Sequence, residues 1–282
     1  MNYRHAYHAG NIGDVLKHIV LSLLIVYLQR KDKPFRILDT HAGIGQYDLT
    51  SKETARTGEW RQGVGKVLAA DIPETVETLL KPWLDVISAQ NPDGSFKAYP
   101  GSPALARALM RPVDRLTLTE LHPEDFKTLA GLFQGDHQVK TIHLDGWLAL
   151  GSFLPPKEKR GLAIIDPAFE VTDEFDRMAR AVCKAWKKWQ TGIFAVWYPL
   201  KDRKGLSRFH DALAETGIRD VLTLELNVGK SGPDTVMLGS GMTIINPPFT
   251  LAADMKEILP WLSRVLHQGP GAGWQVEQLI EE

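Results

Sequence analysis

Seven short apolar runs recur along the chain, at residues 35–39, 116–119, 141–144, 162–165, 193–197, 222–226 and 242–245. Most are separated by stretches whose apolar residues return every three or four positions. Runs of four or five such residues fit buried strands, and the longer periodic stretches fit helices. Strand–helix alternation sustained this far leaves few packings. Each parallel strand must be reached by a crossover, so the expected fold is α/β, a mostly parallel sheet with helices on both faces. Ligands of such sheets sit beyond the carboxyl ends of the strands, so the residues that close each run are where chemistry is to be sought.

The first unit is helix then strand. Residues 14–28 place Val15, Ile19, Leu23 and Val26 at helical spacing, and Arg30-Lys31-Asp32-Lys33 followed by Pro34 ends the pattern. One interval is out of rhythm: more than seventy residues separate the first run from Leu116, where a strand–helix–strand unit needs about thirty. Amphipathic spacing of Val76, Leu79, Leu80, Trp83, Leu84 and Ile87, closed by the turn Asn91-Pro92-Asp93-Gly94-Ser95, predicts a small helical subdomain at residues 54–97. It is inserted into a main domain of residues 1–53 and 98–282, and is expected to overhang the ligand edge.

Composition narrows the partners. With 33 Lys and Arg against 34 Asp and Glu, the net charge of -1 announces no polyanion ligand, so any nucleic-acid site must be a local patch. The single cysteine, Cys183, excludes an internal disulfide and a multi-cysteine metal site; no metal is expected, and a reducing cytoplasm is the default compartment. The apolar run at residues 19–28 is half of the roughly 20 residues a membrane span needs, which predicts a buried helix and no membrane partner. No coiled-coil or apolar stripe is evident, and a monomer is expected.

The first strand runs into Asp39-Thr40-His41-Ala42-Gly43-Ile44-Gly45, whose small residues let backbone approach a ligand. A dinucleotide loop would carry a third glycine where this chain has Asp48, and a bare tight turn fits equally well. Glu120, closing the second strand, stands where a carboxylate binds ribose hydroxyls, or caps the next helix. Asp145, before Gly146, is placed to accept from an adenine amino group, or to make an ordinary Asp-Gly turn.

The strongest feature is Asp166-Pro167-Ala168-Phe169, where an apolar strand stops on a carboxylate, a proline and an aromatic. It resembles the [Asp/Asn]-Pro-Pro-[Tyr/Phe] motif of amino-methyltransferases. An adenine N6 is a poor nucleophile because its lone pair is delocalised into the ring. Asp166 and the Pro167 carbonyl can accept its two hydrogens and favour a pyramidal nitrogen with a free lone pair. Phe169 would supply a stacking face for an extruded base, a contact of about 1–3 kcal/mol. The plain alternative is a proline turn followed by a core phenylalanine. A second copy, Asn246-Pro247-Pro248-Phe249, matches the motif better. It closes the last expected strand, however, and if that strand is antiparallel its end points away from the ligand edge.

Further segments resemble one family over nearly the whole chain: Tyr3-Arg4-His5-Ala6-Tyr7-His8-Ala9-Gly10-Asn11, Asp14-Val15-Leu16-Lys17-His18, Leu38-Asp39-Thr40-His41-Ala42-Gly43, Pro100-Gly101-Ser102-Pro103, Thr119-Glu120-Leu121-His122-Pro123 and Asp145-Gly146. They are similar to the bacterial methyltransferase J family, which methylates adenine N6 of 23S ribosomal RNA. The resemblance implies a Rossmann-like class I methyltransferase with a seven-stranded sheet whose last strand is antiparallel. It implies that His18, His41, Gly43, Ser102, Glu120, Asp145, Gly146 and Asp166 surround S-adenosyl-L-methionine. Asp166, with Pro167 and Phe169, would be catalytic, and Tyr3 and Lys17 would meet the RNA. The chain departs from the family's Asp-Pro-Pro-aromatic pattern at Ala168, which adds a rotatable angle after Pro167 and puts the preorganisation of its carbonyl in question.

Three basic clusters bear on RNA contact. Lys201-Asp202-Arg203-Lys204 follows a strand end on the expected ligand edge and is the best candidate for phosphate contact, with Lys201 foremost. Residues 157–160, and Lys184 with Lys187 and Lys188, read as solvated helix faces. The expected partner is ribosomal RNA with the adenine in a hairpin or single strand. Methylation of DNA adenine or of a protein glutamine poses the same lone-pair problem and stays open. So does a non-catalytic nucleic-acid-binding protein tied to the use of external DNA, a role attached to this family.

Overall fold

A computed structural model describes residues 4–230 and 238–281. A single 3-10 turn, His5–Tyr7, precedes α1 (Ile12–Gln29) and β1 (Arg36–Asp39). Next come β2 (Gln46–Asp48), α2 (Lys52–Thr57), α3 (Val64–Leu68), α4 (Glu74–Gln90) and β3 (Ala98–Pro100). The alternating part runs α5 (Ser102–Leu109), β4 (Arg115–Glu120), α6 (Pro123–Leu132), β5 (Val139–His143), α7 (Gly146–Phe153), β6 (Gly161–Ile165), α8 (Glu174–Lys188), β7 (Ile193–Pro199) and α9 (Arg203–Glu215). It closes with β8 (Val221–Asn227), β9 (Gly239–Ile245), α10 (Leu251–Val265) and β10 (Gly273–Ile280).

The main sheet has the order β10-β8-β9-β7-β6-β1-β4-β5. Strands β5, β4, β1, β6 and β7 are parallel, and β9 runs antiparallel between β7 and β8. This is the Rossmann-like methyltransferase arrangement. The strand count is a correction: eight, not seven, because β10 adds an antiparallel edge beside β8. The strand closed by Asn246 is therefore not the last of the chain. It is antiparallel as the motif choice required, with Ile245 paired to Phe194 and to Val221 at the amino ends of β7 and β8.

Helix α1 shows how sequence makes the core. Asn11 caps its start by accepting from the Asp14 amide at 3.0 Å, a cap worth about 1 kcal/mol. Its mean hydropathy of 1.6 and length of 18 residues would suit a membrane span, yet 78% of it is buried inside the fold. Val15, Leu16, Ile19, Val20 and Leu24 are fully enclosed, each contributing about 1.5–3 kcal/mol relative to exposure. β6, buried at all five positions, reads as a continuous apolar run because both its faces are covered.

The long interval after β1 holds α2, α3 and α4, flanked by β2 and β3, which pair antiparallel as a separate ribbon. Val76, Leu80, Trp83, Val86 and Ile87 of α4 join the same core cluster as α1 and α10. Helices α3 and α4 thus share the main core.

Candidate active site

Because β1, β4, β5 and β6 are parallel, their carboxyl ends deliver Asp39, Glu120, Asp145 and Asp166 to one edge of the sheet. A cavity of about 270 Å³ opens there. His18, His41, Gly43 and Ser102 line it, as do Glu120, Asp145, Gly146 and Asp166. All eight residues expected around a cofactor thus come together, with Lys17, Pro167 and Ala168 beside them.

Glycines let the walls close. Gly43 adopts φ 59°, and a Cβ there would lie 2.5 Å from the Tyr47 hydroxyl. A Cβ on Gly146 would stand 2.3 Å from the Thr40 carbonyl oxygen, so the start of α7 abuts the loop after β1 only because that side chain is absent. Asp145 caps α7 by accepting from the Trp147 amide at 2.7 Å. Glu120 accepts from the Gly43 amide at 2.8 Å and from the His122 amide at 2.7 Å. Burial raises its pKa above the ordinary glutamate value, with those two amides opposing the rise.

Asp39 stands behind the cavity, fully buried. It accepts from the Ser102 hydroxyl at 2.7 Å and the His41 amide at 3.3 Å. Burial pushes its pKa up to about 6, against the pull of Ser102 and Lys17. His18 accepts or donates at Nδ1 with the Tyr99 hydroxyl, 2.8 Å away. Its Nε2 is buried without a hydrogen-bond partner, 3.9 Å from the nearest carboxylate oxygen, that of Asp14. Burial lowers its pKa to about 3, so the ring is neutral near pH 7.

The centre of charge is Lys17. Its ammonium lies 2.8 Å from Asp14 Oδ1 and donates to Asp166 Oδ2. Burial opposes the charge, but the two carboxylates outweigh it and hold the lysine pKa above its ordinary value. Asp14 also accepts from the Gly10 amide at 2.8 Å and meets His5 Nε2 at 2.9 Å. Burial would raise the Asp14 pKa, yet His5, Lys17 and His18 bring it well below the usual range.

Sequence reasoning passed over Asp14, His5, Asp39 and the pair Glu174 and Arg177, all close to or lining this cavity. Asp14, Lys17 and His18 at i, i+3 and i+4 already share one helix face, a spacing that was available in the sequence.

Two residues expected to meet the substrate are engaged with the protein itself. Phe169 does not line the cavity: its ring is 8% exposed and packs edge-on against Phe175 and Trp197. Apolar burial outweighs an exposed stacking face at this position. Lys201 donates to the Phe169 carbonyl at 3.0 Å and sits over its ring. In the same cluster Arg203 is paired with Glu225 at 2.7 Å. The rival Asn246 lies at the opposite edge of the sheet, donating to the Gln190 and Gly192 carbonyls. Tyr3 falls outside the described residues.

Residues 32–280 match the family described as "Ribosomal RNA large subunit methyltransferase D, RlmJ". The chain belongs to this family. Two methyltransferase J proteins are close relatives over essentially their full lengths. The one from Haemophilus influenzae is 41% identical, covering 100% of both chains, and the one from Escherichia coli is 42% identical, covering 96% of both. A crystal structure of a Legionella pneumophila protein superposes with a TM-score of 0.87 at 35% identity, covering 96% of this chain and 98% of that one. As a methyltransferase J family member the chain is an enzyme of the class that uses S-adenosyl-L-methionine.

Proposed function

We propose that this chain methylates the exocyclic N6 of an adenine in 23S ribosomal RNA, using S-adenosyl-L-methionine as donor. The observation that carries the reading is the position of Asp166. It closes β6 in the same cavity as Glu120, Asp145 and Gly146, with its carboxylate oriented by Lys17.

The residues fit the donor. Glu120 offers a buried carboxylate for ribose hydroxyls, and Asp145 an acceptor for the adenine amino group. Gly43 and Gly146 let Tyr47, the loop after β1 and the start of α7 close around the cavity where a Cβ would clash. The unpartnered Nε2 of His18 is a buried polar atom that a bound polar ligand would satisfy. His41 and Ser102 complete the wall. When bound, the donor supplies an electrophilic methyl group on a sulfonium.

The chain's own work is on the acceptor. Lys17 holds Asp166 Oδ2, leaving Oδ1 to accept one N6 hydrogen while the Pro167 carbonyl accepts the other. Both bonds favour the pyramidal nitrogen needed for attack. Phe169, anchored in the core, and Lys201, bonded to the Phe169 carbonyl, fix the segment that carries Pro167 and Ala168. The N6 of a paired base is engaged and stacked, so the target adenine is unpaired, in a hairpin loop or single strand. The enzyme acts as a cytoplasmic monomer.

Labelled donor offered with ribosomal RNA, DNA and protein in parallel tests the reading, together with nucleoside mass spectrometry of ribosomal RNA from cells with and without the chain. N6-methyladenosine that depends on the chain is expected. Label only in DNA or only in protein, or none at all, overturns it.

A further inference from the structure

The sheet edge opposite the active site gathers cations that sequence reading left dispersed. Three loops meet there: residues 30–36 before β1, 111–115 before β4 and 157–160 before β6. Arg160 ties them by donating to the Lys33 carbonyl at 2.7 Å and the Leu28 carbonyl at 2.8 Å. Arg111 donates to the Lys31 carbonyl at 2.9 Å and the Lys33 carbonyl at 3.2 Å. The three segments hold nine Lys and Arg against three Asp and Glu, in a chain whose totals are 33 and 34. Of the three acids, Asp114 is fully buried against Arg111, and Glu158 is paired with Arg36 at 2.9 Å. Lys31, Lys33, Lys157 and Lys159 are exposed.

A basic run alone is usually a solvated face. Here it adjoins an aromatic that the fold leaves in water. Phe249 is 80% exposed, beside the amino end of β7. Its ring stands edge-on to Tyr27 at 6.0 Å between centroids. The Arg30 guanidinium lies 5.3 Å from the Tyr27 ring centre and 5.9 Å from that of Phe249. An exposed ring beside a guanidinium and flanked by lysines is the combination that stacks a base and tracks a sugar-phosphate backbone.

The geometry points to a second RNA-contacting surface at this edge, where an unpaired nucleotide stacks on Phe249 beside Arg30 while its neighbouring phosphates lie on Lys31 and Lys33. The inference rests on ribosomal RNA being the substrate. β6 has five residues, so the two edges lie roughly 15–20 Å apart at about 3.3 Å per residue. One RNA that touches both must run along the flank of the protein, and a large folded RNA does this better than a short hairpin.

The test measures binding of transcribed 23S ribosomal RNA by fluorescence anisotropy across a KCl series. It compares the parent chain with Lys31→Glu/Lys33→Glu and with Phe249→Ala, all three sites being exposed. The double variant is expected to bind about tenfold more weakly, with a log–log salt slope shallower by about 2. Phe249→Ala should bind about fivefold more weakly with its slope unchanged. Donor affinity by calorimetry should match the parent for both. Parental affinity and slope in the double variant overturn the surface, as would binding lost together with donor affinity. Parental affinity in Phe249→Ala overturns the stacking assignment. Failure of the function reading looks different: the parent chain would leave the RNA unmethylated whatever the variants bind.

Discussion

Lys17 joins Asp166, at the tip of β6, to Asp14 on its own helix, so that one ammonium serves two carboxylates at the centre of the cavity. The arrangement fixes Asp166 from a helix, not from its own loop. A charged group placed on α1 thereby sets the direction of a side chain 149 residues later in the chain.

Asp166→Ala removes the acceptor for one N6 hydrogen. Single-turnover methylation should slow by about 10²–10⁴-fold, while donor affinity by calorimetry changes less than about tenfold. Methylation at the parental rate would refute the role given to this carboxylate.

Lys17→Met leaves buried Asp14 without the ammonium it shares with Asp166. Breaking a buried pair from one side costs about 3–5 kcal/mol, so thermal unfolding should shift down by many degrees and methylation should fall with it. Asp14→Asn combined with Lys17→Met should recover part of the stability, because the fully buried one of the two carboxylates is then no longer charged and only the partly exposed Asp166 is left without its ammonium. A double variant no more stable than Lys17→Met alone would show that the pair is not coupled as described.

Glu120→Gln keeps the size of the side chain but removes its charge and one acceptor. Charge-assisted hydrogen bonds contribute about 1.5–3 kcal/mol, so donor affinity should weaken by about 10–100-fold. The reading of Glu120 as the ribose-binding residue fails if calorimetry gives the parental value. Gly146→Ala tests the wall in the same assay. With 2.3 Å to the Thr40 oxygen the methyl group must push α7 away, and both donor affinity and melting temperature should drop.

The acid limb of stability follows from the buried imidazoles. His18 and His41 have folded pKa values of about 3 and about 4, lowered chiefly by burial from 6.5. The unfolded chain therefore takes up protons first as pH falls below 6.5, and stability drops, by at most about 1.4 kcal/mol per pH unit for each ring. Asp39, raised to about 6, works the other way below that pH and offsets part of one ring. Melting temperature should fall between pH 6.5 and 5, with a flatter slope for His18→Gln. An identical slope in that variant would remove His18 from the account.

The sequence was most legible where burial dictates residue choice. All seven apolar runs became sheet strands; apart from the half-exposed edge strand β5, they are largely buried, and strands enclosed on both faces can hold little but apolar residues. β10 was missed: it is a half-exposed edge in which Trp274 and Val276 alternate with Gln275 and Glu277, and only Leu279 and Ile280 stand together, so no continuous apolar run marks it. The carboxyl-end carboxylates were legible because a parallel sheet leaves only one place for them. The packing partners of Phe169 and Lys201 were not legible, for a different reason. Whether an aromatic after a strand turns outward or inward depends on the partners it finds, here Phe175 and Trp197, and no local pattern encodes them.

Helix α1 is both the chief beam of the core and the support for Lys17 and His18. A beam enclosed along most of its length has little freedom to swing, so Asp166 is held where folding left it. On the proposed function, the nucleic acid does the travelling and brings its base to a fixed post.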